Sequence, residues 1–230
     1  MNNVLGILLL SIVLLVYIFE IIQKKRKRLK KKRIIEGLYP FEIIQKKRKR
    51  LKKKRIIEGL YPNVLKAKNT FENHTSFKSG YFNNNKLDSW KTSYILLKKE
   101  LNRYKIETLK LENIIVVDIK KLFNYFENGN TIRDEYNKEF VAHELKECNA
   151  LFSNIEGQSL DEQQRLAVIK DEDNNLVIAG AGSGKTTTVA GKVAYVINRF
   201  KIQPEEILLI TFTKKASDEM KHRIKKKKEY

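Results

Sequence analysis

The sequence predicts a partial α/β domain preceded by a helical region and an N-terminal transmembrane helix. Three observations carry that expectation. The apolar run Leu176-Val-Ile178 feeds a glycine-rich stretch, residues 179–187, and then a helix-like segment. A second apolar run, Ile207-Leu-Leu-Ile210, follows the break at Gln203-Pro204, so the order reads strand, helix, strand, with residues 176–179 and 207–212 as adjacent parallel strands. At the other end, residues 4–19 hold no charge and are almost all Leu, Ile and Val. The chain then divides into an anchor at 1–22, a basic segment at 23–62, a linker and helical region at 63–152, and the α/β portion at 153–230.

Residues 4–22 number nineteen, about 28 Å at helical rise, against the ~30 Å of a bilayer core. A signal peptide would start with cations and end at a small-residue cleavage site, and the Met1-Asn2-Asn3 start has neither. A buried core helix would show an amphipathic face, which this stretch lacks. The expectation is an uncleaved single-pass anchor. Cations follow it and none precede it, which places the C-terminal side in the cytoplasm. The single Cys148 offers no disulfide framework.

Residues 19–40 recur without one change as residues 41–62, a period of 22. Perfect identity reads as tandem duplication, since a solenoid needs three or more units. Each copy carries nine Lys plus Arg and two Glu, hence +7 per copy and +14 for both, against +20 for the chain, so residues 63–230 contribute +6. The basicity from Lys24 to Arg55 predicts anionic lipid headgroups as the first partner and nonspecific nucleic acid as the second.

Residues 63–85 are polar and Asn-rich and read as a linker. Beyond them Trp90, Tyr94, Leu97, Leu101 and Tyr104 fall on one helical stripe. Residues 111–126 continue as helix, with a strand as the alternative at Ile114-Ile-Val-Val117; Asn128-Gly-Asn130 reads as a turn before a helix at 134–152. His74, His143 and His222 lack partners at metal-ligand spacing.

The chemistry concentrates in Ala179, Gly180, Ala181, Gly182, Ser183, Gly184, Lys185, Thr186 and Thr187. Small residues let backbone N–H groups approach phosphates, and the helix that follows presents its positive end. In this device, a P-loop, the lysine reaches the outer phosphates and the next hydroxyl binds Mg²⁺, roles that fall on Lys185 and Thr186 as the catalytic pair. The strict pattern would place glycine at Ala179, one mismatch. A nucleotide with Mg²⁺ is the predicted ligand.

Two flanking stretches narrow the class: Ser159-Leu-Asp-Glu-Gln-Gln-Arg-Leu-Ala-Val168 before the loop and Ile207-Leu-Leu-Ile-Thr-Phe-Thr-Lys-Lys-Ala216 after it. With the loop they resemble the first three motifs of the UvrD/Rep superfamily 1 DNA helicases, and residues 175–186 look most like the helicase IV branch. The resemblance covers about residues 155–225 and implies a RecA-like ATP-binding fold. By position it makes Gln164 the reader of the adenine edge, and thereby implies ATP. It sets Thr211, Phe212, Thr213 and Lys214 along single-stranded DNA, with Phe212 stacking on a base. Burial of Phe212 at a strand end is the competing reading. Many relatives place an arginine after the loop threonine, where this chain has Thr187.

Such a motor also uses a later Asp-Glu pair and later arginines. The sequence reaches Tyr230 without them, and Glu172, Asp173, Asp218 and Glu219 read as solvated. The expectation is therefore an ATP-binding portion that does not unwind DNA by itself, with two unsupported strands and marginal stability. The alternative is a non-enzymatic, membrane-anchored nucleotide or nucleic-acid binding protein with a vestigial P-loop.

Overall fold

The computed structural model describes residues 19–32, 34, 37 and 41–225. Their named helices are α1 (Phe41–His74), α2 (Asn84–Leu101), α3 (Asn113–Glu147), α4 (Asn149–Ser153), α5 (Glu162–Ile169), α6 (Lys185–Phe200) and α7 (Lys214–Lys225), with short 3-10 turns at Phe77–Ser79, Ile106–Leu109 and Pro204–Glu206. The chain forms two compact units: residues up to 59 with 104–111, and residues 60–103 with 112 onward.

The first unit contains the start of α1 and the 3-10 turn Ile106–Leu109. Ile57, Ile106 and Leu109 are buried, and Lys54 Nζ donates to the Lys110 carbonyl at 3.1 Å.

In the second unit the helices pack through aromatic rings and a few buried polar contacts. Phe71 of α1 meets Trp90 of α2 edge-on at 4.9 Å and stacks on Tyr125 of α3 at 4.2 Å. Trp90 Nε1 donates to the Ala67 carbonyl at 2.8 Å, which satisfies its one polar atom inside the core. Asn137 of α3 pairs both ways with the backbone of Phe82, each bond 2.9 Å, and pins the segment entering α2. Asn83 then caps α2 by accepting from Lys86 N at 3.0 Å.

The α/β expectation is overturned. Among the described residues there is no strand or sheet, and one isolated bridge joins Ile155 to Gln158. Residues 176–179 and 207–212 are irregular, with Leu176 at 86 %, Ile178 at 89 %, Leu208 at 82 % and Ile210 at 85 % exposure. The physical reason is that a strand is made by its neighbour: without a ladder the backbone has no partner, and apolar composition alone cannot supply one.

The single-pass membrane localisation is corrected as well. Among the described residues no helix is long and apolar enough to cross a membrane. Most of the expected anchor, residues 1–18, lies outside the described residues.

Three smaller expectations change. The linker begins as helix, because α1 runs to His74 with Pro62 inside it, and Val64, Ala67 and Phe71 are buried. Residues 114–117 are helical, and the Asn128-Gly-Asn130 turn is absent because α3 passes straight through it. Gly129 is buried there, and a Cβ on it would lie 3.1 Å from Leu87 Cδ1, so the glycine admits α2 rather than ending a helix.

Candidate nucleotide site

The site is assembled on α5 and α6. Asp161 and Gln164 form a reciprocal capping box at the start of α5: Gln164 N donates to Asp161 Oδ1 at 2.8 Å, and Asp161 N donates to Gln164 Oε1 at 3.0 Å. That box fixes the Gln164 amide, whose Nε2 donates to the Ser183 carbonyl at 3.1 Å. One hydrogen bond thus ties α5 to the glycine-rich loop.

The loop itself is exposed and turns on two left-handed glycines, Gly182 at φ 75° and Gly184 at φ 76°. Nothing lies within 4 Å of a Cβ placed on Gly180 or Gly182, so both leave open space on the loop. Ser183 folds back on Gly180 through its hydroxyl at 2.8 Å. Lys185 Nζ donates to the carbonyls of Ala179, at 2.9 Å, and of Gly180. Its ammonium is held at the mouth of the loop by oxygen acceptors.

Gly184 caps α6, so Lys185, Thr186 and Thr187 occupy its first turn, where N–H groups have no carbonyl of their own helix to meet. The residues present fit a nucleoside triphosphate. They combine free loop space, a cation, first-turn amides and the Thr186 hydroxyl for Mg²⁺. Gln164 fits too: an amide has two donor hydrogens and two acceptor lone pairs, and each atom has one protein partner here.

The second candidate stretch lies at the start of α7. Phe212 is fully exposed, which excludes its burial at a strand end. Thr211 Oγ1 donates to the Thr213 carbonyl at 3.1 Å, and Thr213 Oγ1 accepts from Ala216 N at 3.2 Å. Those two hydroxyls shape the turn into α7, and Lys214 opens that helix at the surface.

Sequence reasoning missed the residues that hold α6 in place. Thr188 Oγ1 donates to the Gly184 carbonyl at 3.0 Å and closes the first turn. Lys192 Nζ reaches the Val168 carbonyl and Asp171 Oδ1, each at 2.9 Å. Arg165, on α5, holds instead the segment that enters that helix: its Nε donates to the Leu160 carbonyl at 2.8 Å.

Glu144 of α3, fully buried, accepts from Tyr195 at 2.8 Å and from Arg199 Nε at 3.0 Å, while Arg199 Nη2 donates to the Phe77 carbonyl at 2.8 Å. Burial, then the Glu144 carboxylate, pushes the Tyr195 phenol far up and the Cys148 thiol up to about 11. Cys148 is therefore a thiol at neutral pH and a poor nucleophile. Glu172 and Asp173, expected in solvent, tie the segment before the loop to the start of α2 and the residues just ahead of it: Tyr81 donates to Glu172 at 2.9 Å and Asn85 N to Asp173 at 2.9 Å. Of these contacts and the Asp161–Gln164 box, only the box leaves a local signal in the sequence that could have found it, an Asp three residues before a Gln.

Residues 160–230 match the UvrD/REP helicase N-terminal domain. Over 108 residues the chain is 32 % identical to DNA helicase IV of Escherichia coli, covering 47 % of this chain and 16 % of that protein. It is 48 % identical over 67 residues to a probable DNA helicase II homolog of Mycoplasma genitalium, covering 29 % of this chain and 10 % of the relative. DNA helicase II of Escherichia coli is 46 % identical over 66 residues, 29 % of this chain and 9 % of that protein. The chain thus spans at most about a sixth of these relatives. No solved structure matches it. Residues 160–230, which carry the glycine-rich loop and nearly all of both flanking stretches, are thus similar to the N-terminal domain of the UvrD/REP helicases.

Proposed function

We propose that this part of the chain binds ATP with Mg²⁺ as a portion of a DNA helicase motor. The observation that carries the reading is the join between Gln164 and the loop. One amide stands against Ser183, two residues before Lys185 in the loop, and keeps a donor hydrogen and an acceptor lone pair. Adenine presents a matching acceptor and donor, so Gln164 reads the base while Lys185 exchanges the Ala179 and Gly180 carbonyls for phosphate oxygens. Mg²⁺, held by Thr186, would screen the phosphate charge. The amides around Ser183, Gly184, Lys185, Thr186 and Thr187 position the phosphates through the helix end. Phe212, fully exposed, supplies a stacking face for a base of single-stranded DNA, a contact of roughly 1 to 3 kcal/mol, with Lys214 beside it for phosphate.

Titration with a fluorescent ATP analogue tests this. Lys185→Ala should weaken binding by about a hundredfold, as expected for loss of a charge-assisted contact worth roughly 2 to 3 kcal/mol. Gln164→Ala should narrow the preference for ATP over GTP. Equal affinities for wild type and Lys185→Ala would refute the site.

A further inference from the structure

The basic run lies apart from the nucleotide site in sequence, and it folds as helix. Residues 46–55 lie inside α1, and nine of these ten are Lys or Arg. Eight are exposed; Lys54 is half-buried and pairs with Glu58 at 3.4 Å. At about 100° per residue the run circles the axis almost three times, and Leu51 is its one apolar side chain. A helix that lies in a membrane surface needs a broad apolar face, which this run does not present.

Its charge spacing points elsewhere. Ten residues span about 15 Å, so the helix offers a cation about every 1.7 Å, and duplex DNA carries a negative charge about every 1.7 Å. Cations three and four positions apart, such as Lys46 with Lys49 and with Arg50, repel along the helix, and a polyanion relieves that repulsion. Residues 46–55 contain no aromatic side chain, so the run offers no surface for stacking unpaired bases and suits a backbone of phosphates. The identical first copy is helical over 19–32.

We propose that this helix is a sequence-nonspecific docking surface for duplex DNA, independent of the nucleotide site. The test is anisotropy of a labelled duplex with the full chain at KCl from about 50 to about 200 mM. Deletion of residues 41–62 is the informative variant, because it removes +7 and joins the identical residues 19–40 to Asn63, so that the sequence from the start of the repeat onward is unchanged. The slope of log affinity against log salt should become shallower by about 4, with affinity at least about tenfold lower.

In the full chain, the quadruple variant Lys46→Gln, Lys49→Gln, Arg50→Gln, Lys53→Gln should flatten the slope by about 3 to 4, and the corresponding Lys→Arg set should keep it. Duplex should also raise the helical circular-dichroism signal. Lys185→Ala should bind duplex with unchanged salt dependence, which separates failure here from failure of the ATP reading. Unchanged slopes in both charge-depleted proteins, or binding to phosphatidylserine vesicles without binding to duplex, would overturn the proposal.

Discussion

Gln164 joins the local folding of α5 to the candidate ligand site through one side chain. Its backbone and amide oxygen complete the cap of α5, and its amide nitrogen reaches the loop. Gly184 makes that approach possible: a Cβ there would stand 2.6 Å from Gln164 Nε2, and the φ of 76° is strained for any L side chain. Gly184→Ala should therefore push Gln164 off Ser183. The expected result is ATP-analogue affinity about tenfold weaker, with a loss of roughly 1 to 2 kcal/mol in denaturant unfolding. Wild-type affinity in the variant would show that the Gln164 contact does not shape the site. The Asp161-to-Gln164 box was open to reading from sequence because capping depends on a spacing of three. Thr188 was not, because its buried hydroxyl acts through the fold of the first turn.

At the scale of elements, α5 and α6 approach closely at a glycine. A Cβ on Gly191 would lie 2.9 Å from Leu160 Cδ1 and 3.4 Å from Val168 Cγ2. Gly191→Val should overpack this seam by about 2 kcal/mol and lower the melting temperature by about 4 to 8 °C. A melt within a degree of wild type would mean that the seam can open. The helix α6 itself was legible, expected from about Gly184 to Phe200 and found from Lys185 to Phe200, because its start and stop signals are local. Its end comes at Lys201, in the left-handed region at φ 57°, before Pro204 opens a 3-10 turn. The strands were not legible in the same way. Leu176-Val-Ile178 and Ile207-Leu-Leu-Ile210 have strand composition, yet pairing is a property of two segments and these two do not meet in a ladder.

At the scale of the whole molecule, buried carboxylates carry contacts between elements distant in sequence: Glu144 joins α3 to α6, and Asp118 joins α3 to α1. Asp118 of α3 is buried and accepts from Tyr61 at 2.8 Å and Lys68 at 2.9 Å, both on α1. Burial opposes its charge, but the bonds from Lys68 and Tyr61 outweigh that and hold its carboxyl below the usual range. A folded-state pKa depressed in this way gives stability that is fully present above the unfolded value, about 4, and is lost as pH falls through the folded one. Asp118→Ala should thus cost about 3 kcal/mol near pH 7, since it also strands Lys68, and the gap to wild type should shrink toward pH 3. Urea midpoints across that range measure it; a gap that stays constant with pH would contradict the linkage.

By itself the sequence determined the loop, the helix that follows and the charge asymmetry, because each depends on residues within a few positions of one another. Only the tertiary structure decided that Asn128-Gly-Asn130 is helix, that Glu144 joins α3 to α6, and that the two apolar runs stay unpaired. Those outcomes depend on which distant surface each segment meets, and packing partners are not encoded in local spacing.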